Sequence, residues 1–344
     1  MTLQSQPVLT DAAREDTTDS AAELAAMVGP VTIHLPGDPA YDEARRLWNT
    51  AVDLLPAAIA EPTTAAEVSA VVTASRKLGL KVAPVSTGHN AGPLVRHDLT
   101  STVLVKLSSM TAVEVDPSTA MAKVQGGALW GDVIDAAGAH GLACLHGSSP
   151  DVGVGGYLLG GGIFLYARRL GMATSSLTAV EIVLVDGQLV RADRTQHQSL
   201  FWALRGGGGS FGIVTSFEFS LYPLATVHAG MMVWDIDDAE RVVRAWAEWA
   251  PEAPEEITTS MRILNLPQSP DIPKKWAAVR SSAWTAPSWP TKAVRRASSL
   301  LSGSCRREST PSRRCRPARS HDSIWTPGPD SGHREHGPAG TTDG

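Results

Sequence analysis

Cysteine is nearly absent: the chain has three, Cys144, Cys305 and Cys315. Three thiols cannot all pair and their spacing fits no zinc pattern, so neither a disulfide framework nor a zinc module organises the fold. Cys144 reads as a small core residue. No window approaches the unbroken apolar run that a bilayer-spanning helix needs, and the N-terminal MTLQSQPVLTDAARED lacks a basic start followed by an apolar core. A cytoplasmic protein with no membrane partner is the expectation. A Walker motif is also missing. A formal dinucleotide fingerprint, Gly207-x-Gly209-x-x-Gly212, stands after a helix and before a strand, the reverse of the order that places a pyrophosphate on a helix N-terminus. It is read as chance.

Glycine, by contrast, is concentrated. Gly147 to Gly162 reads GSSPDVGVGGYLLGGG, with only small or apolar residues between most of its glycines. Backbone there can approach a flat ligand where Cβ atoms would obstruct it. Composition alone equally allows a glycine-rich turn between strands. A second loop upstream, Ser86-Thr87-Gly88-His89-Asn90, favours the ligand reading.

Regular structure is legible between these loops. Thr64 and Glu67 form a capping box ahead of Val68, Val71, Val72 and Leu78, with Gly79 at the stop. Lys81–Val85 and Val103–Leu107 read as strands around the first loop. Thr111–Val115 and Met121–Gln125 read as strands, and Leu129–Ala139 as a helix closed by Gly141. Val180–Val185 and Gln188–Arg191 flank Asp186-Gly187, a hairpin signal. Ser199–Leu204 is a short helix and Ile213–Leu221 a strand. Further on, Val227–Trp234 and Glu256–Leu264 read as strands flanking an amphipathic helix, Asp237–Trp249, whose Trp246 and Trp249 belong to the core. Residues 1 to about 30 are polar and alanine-rich and read as loose.

The net charge of −5 hides an asymmetry. Residues 1–279 carry 19 basic and 30 acidic side chains, residues 280–344 carry 11 and 5. Pro267, Pro270 and Pro273 end regular structure, and from about residue 276 arginine, serine and proline crowd together while Trp284, Trp289 and Trp325 lack apolar neighbours in sequence. This resembles a reading frame translated out of register. The rival reading is a disordered arm whose Arg306, Arg307, Arg313, Arg314 and Arg316 neutralise phosphates of a nucleic acid or another acidic partner.

Several motifs in order carry a family resemblance: Gly-His-Asn at 88–90, Pro-x-Val-Gly at 150–153 followed by the glycine triplet 160–162, Arg168-x-x-Gly171, and LFWALRGG at 200–207 leading into FGIVT at 211–215. Over residues 50 to 265 the chain resembles the vanillyl-alcohol-oxidase superfamily, specifically the berberine-bridge-enzyme-like oxidoreductases with a PCMH-type FAD domain. The resemblance implies an α+β fold, with an FAD-binding domain of two α+β subdomains at 41–224 and an incomplete α+β substrate domain at 225–275; composition sets off a loose leader at 1–40 and an aberrant or disordered basic Arg/Ser/Pro-rich tail at 276–344. The resemblance implies FAD as cofactor, with His89 joined to the 8α-methyl; a neutral imidazole nitrogen is a competent nucleophile near pH 7. Ser86, Thr87, Gly88 and Asn90 would turn backbone N–H groups toward the pyrophosphate. Val152, Gly153, Gly155, Gly156, Gly160, Gly161 and Gly162 would line the flavin ring and ribityl chain, and Ile213 and Val214 would lie near the adenine. Ser149 stands where many relatives carry a second attaching cysteine, so a single link is expected. Val85 and Thr87 stand where arginine and glycine are common. Tyr157, although in the glycine stretch, reads as core with a satisfied hydroxyl.

The implied reaction is hydride transfer from an alcohol, amine or similar carbon centre of a small-molecule substrate to flavin N5, with oxygen as acceptor. No residue presents itself as the catalytic base. An inactive, truncated flavoprotein and a basic-tailed nucleic-acid-binding protein are the alternatives.

Overall fold

The computed structural model describes residues 11–163, 165–228, 231–234 and 236–264, together with two short strands at Arg280–Trp284 and Ile324–Trp325. In chain order the first unit comprises α1 (Asp11–Met27), β1 (Thr32–His34), α2 (Tyr41–Ala44), β2 (Ala58–Glu61), α3 (Ala65–Lys77), β3 (Lys81–Val85) and β4 (Thr102–Lys106). Its sheet runs β1-β2-β4-β3, with β2, β4 and β3 parallel and β1 antiparallel at the edge. Parallel strands need a covering crossover, which α3 supplies. Helix α3 begins as its sequence predicts: Glu67 N–H donates to Thr64 Oγ1 at 3.2 Å. The returning arm differs, because the Glu67 carboxylate accepts from Thr63 N–H (2.7 Å) rather than from the cap residue itself. Val68, Val71 and Val72 are buried, and Gly79 closes the helix at φ +70°.

The second unit comprises β5 (Val113–Asp116), β6 (Met121–Gln125), α4 (Trp130–Gly138), α5 (Val154–Leu159), α6 (Ala167–Leu170), β7 (Leu177–Val183), β8 (Leu189–Asp193), α7 (Gln198–Leu204) and β9 (Ile213–Ser220). Its sheet is antiparallel, in the order β5-β6-β9-β7-β8. One face packs on α4 and α5 through Trp130, Phe217 and Phe219. Elsewhere in this sheet Arg191 makes a two-point pair with Glu218, at 2.6 and 2.8 Å.

Helix α3 locks the units together. The Asp186-Gly187 hairpin tip rests on it so closely that a Cβ at Gly187 would stand 2.0 Å from Thr73 Oγ1, and the Ser69 hydroxyl donates to Gly187 O. Val183 and Ile213 of the second sheet sit in the first unit's core. Cys144 is buried as expected, and burial pushes its thiol up to about 12.

Residues 11–34 correct the expected loose leader. Ala21 and Leu24 of α1, with Val28 and Val31 of the turn that leads to β1, are all buried in the core of the first unit. Within α1 the buried stripe is only Ala21 and Leu24, which is why its periodicity is faint in sequence.

Beyond β9 the strands are shorter than expected. Val227–Trp234 resolves into β10 (Val227–His228) and β11 (Met231–Val233), and Glu256–Leu264 contains only β12 (Ile263–Leu264). Strand β13 (Arg280–Trp284) pairs with β11 and β12, and β14 (Ile324–Trp325) with β10. These two lie in the segment expected to lack regular structure; the rest of 276–344 falls outside the described residues. Helix α8 (Ala239–Trp249) buries Val242, but Trp246 and Trp249, expected in the core, are only half-buried. Trp246 is held instead by donating its indole N–H to Thr259 Oγ1 at 2.9 Å. Among the described residues, no helix is long and apolar enough to cross a membrane.

Candidate functional site

Ser86–Asn90 leaves the C-terminal end of β3, at the edge of the parallel sheet. Its turn is fixed from below: Gly88 has φ +79°, and Leu47 Cβ occupies the space 2.8 Å from where a Gly88 Cβ would stand. Trp48 N–H donates to Thr87 O at 2.9 Å. Ser86, Thr87 and His89 are half-buried and Asn90 is exposed.

The glycine stretch is not loop throughout. After Ser149, Pro150 and Asp151, the backbone joins the start of α4: Gly131 N–H donates to Pro150 O (2.9 Å), Trp130 N–H to Val152 O (3.0 Å) and Val154 N–H to Ala128 O (2.9 Å). Val154–Leu159 then forms α5, and Gly160–Gly162 turns the chain away. Gly161 and Gly162 adopt φ +103° and +65°, conformations costly for other residues. Tyr157 lies against Trp130 edge-on at 5.6 Å, and its hydroxyl donates to His146 O at 3.2 Å, the core role expected of it.

The two loops meet. A Cβ at Gly153 would stand 2.5 Å from Ser86 Oγ and 3.5 Å from Thr87 Cγ2, so only glycine permits this approach. Ser86 Oγ is buried and has no hydrogen-bond partner among the described residues. A buried hydroxyl without a partner is costly unless something else supplies one. Gly155 packs against Gly126 O and Phe217, whereas Gly156 is exposed on α5 with nothing within 4 Å of a Cβ placed on it. Ile213 and Val214 begin β9 with both side chains buried; their backbone pairs with Val183 and Ile182, and Gly126 N–H donates to the next residue, Thr215, at 2.9 Å. Neither is among the residues at which the two loops meet. A third glycine segment reaches the same area, Gly208 N–H donating to Leu159 O at 3.1 Å with Gly209 beside Pro84. Its order is helix α7, loop, strand β9, as the sequence implies.

Sequence reasoning missed two residues here. The Trp48 indole stacks on the His89 imidazole, ring centroids 3.7 Å apart and planes 16° apart. Its Nε1–H donates to Asp151 Oδ2 at 2.6 Å, and the Ser149 hydroxyl donates to Asp151 Oδ1. His89 Nδ1 and Thr87 Oγ1 are hydrogen-bonded at 2.9 Å. The Asp151 carboxyl is held below its usual range, first by the Ser149 hydrogen bond and then by the Trp48 indole. Trp48 and Asp151 are 103 residues apart, so no local pattern links them.

A cleft of about 770 Å³ opens one residue beyond Gly162. Ile163, Leu165 and Arg168 form one wall, Trp246, Thr258 and Ser260 the other. Arg168 ties the walls together by donating to Ala250 O (2.8 Å) and Ala253 O (2.6 Å).

Comparison with known proteins agrees with this geometry. The family model for an FAD binding domain matches residues 56–193. The xylooligosaccharide oxidase of Thermothelomyces thermophilus is 36% identical over 226 residues, 63% of this chain and 45% of that protein. The chain carries an FAD binding domain and is similar to FAD-linked oxidoreductases. The chitooligosaccharide oxidase of Gibberella zeae is 32% identical over 231 residues, 66% of this chain and 47% of that protein. The solved structure of wild-type Physcomitrella patens BBE-like 1 shares the fold, with a TM-score of 0.75 over 90% of this chain and 63% of that one, at 22% identity. The α+β, PCMH-type architecture read from the motifs is thereby established for the FAD-binding part. The chain spans about half the length of the two oxidases.

The residues present fit FAD. Ser86 Oγ offers an unused donor where a phosphate oxygen can accept, Gly153 keeps that spot clear, and Gly156 leaves one helix face open to a flat ring.

Proposed function

We propose that this chain is the flavin-binding part of an oxidase that takes a hydride from an alcohol carbon of a sugar. The observation that carries the proposal is the meeting of Ser86 and Gly153, 67 residues apart in sequence, which turns two loops into one cradle with an unused hydroxyl. Ser86–Asn90 holds the pyrophosphate by backbone N–H groups and the Ser86 hydroxyl. The Gly153–Gly162 segment admits the ring system, and His89 makes one covalent link to it. Ser149 makes none, its hydroxyl being engaged by Asp151. When bound, FAD supplies the hydride acceptor, and oxygen returns it to the oxidised state. The protein's share is to bind, orient and exclude water.

Sugar as the substrate class follows the names of the two oxidases together with the cleft beside Gly162, where an indole and several hydroxyls line one space. The test uses the full chain loaded with FAD. Adding xylo- or chito-oligosaccharide without oxygen should bleach the flavin absorption, and readmitting air should restore it with release of hydrogen peroxide. Bound flavin that no oligosaccharide or simple sugar bleaches would refute the substrate class while leaving the cofactor reading intact.

A further inference from the structure

We infer that Asp151, acting through Trp48, is the positioning residue that fixes the imidazole of His89 for the flavin. The inference rests on the proposed link at His89 and adds two residues to it. An indole 55% exposed on a loop has no packing of its own to hold its ring. Here it has two tethers: its backbone N–H on Thr87 O, and its ring N–H on the Asp151 carboxylate. The first ties Trp48 to the histidine loop, the second ties its ring to the glycine stretch. The stack fixes the plane of the imidazole; the 2.9 Å contact between Nδ1 and Thr87 Oγ1 fixes its rotation within that plane. The other Asp151 oxygen is engaged by Ser149, which stops the carboxylate from turning away.

Orientation matters because of what attachment requires. An imidazole nitrogen bonds to the flavin's 8α carbon as one N–H and one C–H bond break. The electron pair and the two protons pass to the flavin, which is reduced, and dioxygen then takes them as hydrogen peroxide. A nitrogen displaced by about 1 Å from its line of approach costs such a step up to about a hundredfold in rate. Asp151 touches neither reacting atom; it sets where one of them stands.

The experiment uses the full chain with ring-labelled histidine, in wild-type, Trp48→Phe, Trp48→Ala and Asp151→Ala forms, each checked for an unchanged melting transition. The first readout is free of flavin: the His89 ring protons, shifted upfield by the indole in the wild type, lose that shift in Asp151→Ala and Trp48→Ala and keep part of it in Trp48→Phe, which retains a ring but no N–H. The second is the rate at which added FAD becomes acid-stable in air, expected to fall about tenfold or more in Asp151→Ala, with total FAD binding at saturation little changed. An unshifted His89 in the wild type, or an upfield shift that survives Asp151→Ala, overturns the inference. So does a lost shift with an unchanged attachment rate. If the wild type forms no acid-stable flavin, the link at His89 is wrong, and the positioning role then stands or falls on whether loss of the ring shift also weakens reversible FAD binding.

Discussion

Gly156→Ala separates the demands of the fold from those of the cofactor. Gly156 lies within α5, is exposed, and has nothing within 4 Å of a Cβ built on it. For the protein alone the substitution is favourable: replacing a helical glycine by alanine gains about 0.5–1 kcal/mol. In a chain of this size that raises the melting temperature by roughly 1–4 °C. If the open space is where the flavin ring lies, the added methyl obstructs it. An overpacked contact of one methyl costs about 1–3 kcal/mol, weakening FAD binding by roughly 5- to 150-fold. The two effects have opposite signs. Thermal melts of the FAD-free chain and flavin-fluorescence titrations, both in a His89→Ala background so that only reversible binding is read, measure them separately. A variant that is more stable and binds FAD as well as its parent would refute the placement of the ring over α5.

Gly153→Ala tests the loop contact itself: the backbone there (φ −67°, ψ 132°) suits any residue, so the penalty comes from the Cβ driving Ser86 Oγ aside. FAD affinity should fall by about 1–3 kcal/mol as that donor is lost, measured in the same titration. Thr64→Ala should destabilise the chain by about 1 kcal/mol through loss of the α3 cap, seen as a lower denaturation midpoint with FAD binding unchanged. Cys144 should resist alkylation in the folded chain and react on unfolding, because only the exposed thiol reaches the thiolate state near pH 8.5. The same burial has a pH consequence. Between about pH 8.5 and 10 the unfolded thiol loses its proton while the folded one keeps it, so stability falls as pH rises. Cys144→Ala should flatten that slope in denaturant titrations.

The elements readable in sequence were those whose signal is local. Helix α3 carries its cap, apolar face and stop within 16 residues of chain, and the β7–β8 hairpin carries Asp186-Gly187 at its tip; both stand where the sequence places them. Helix α1 has a buried stripe of only Ala21 and Leu24, whose value depends on the core it meets, and Trp246 lost its expected core place to a hydrogen bond with Thr259. The candidate site divides in the same way. Its two loops are contiguous and glycine-marked, hence legible. The stack of Trp48 on His89 and the Asp151 tether join three separate segments, and only the folded arrangement of β3 against the start of α4 and α5 brings them together. Ile213 and Val214, expected to offer strand backbone near the adenine, bury their side chains in the cores of the two units.

The most direct test of the account is the absorption spectrum of the purified full chain before and after acid precipitation, beside His89→Ala. Flavin colour that stays with the wild-type pellet and leaves the variant's is the predicted result. Colour released from both would contradict the link at His89, and a folded, soluble chain that takes up no FAD at all would contradict the cradle formed by Ser86–Asn90 and Gly147–Gly162.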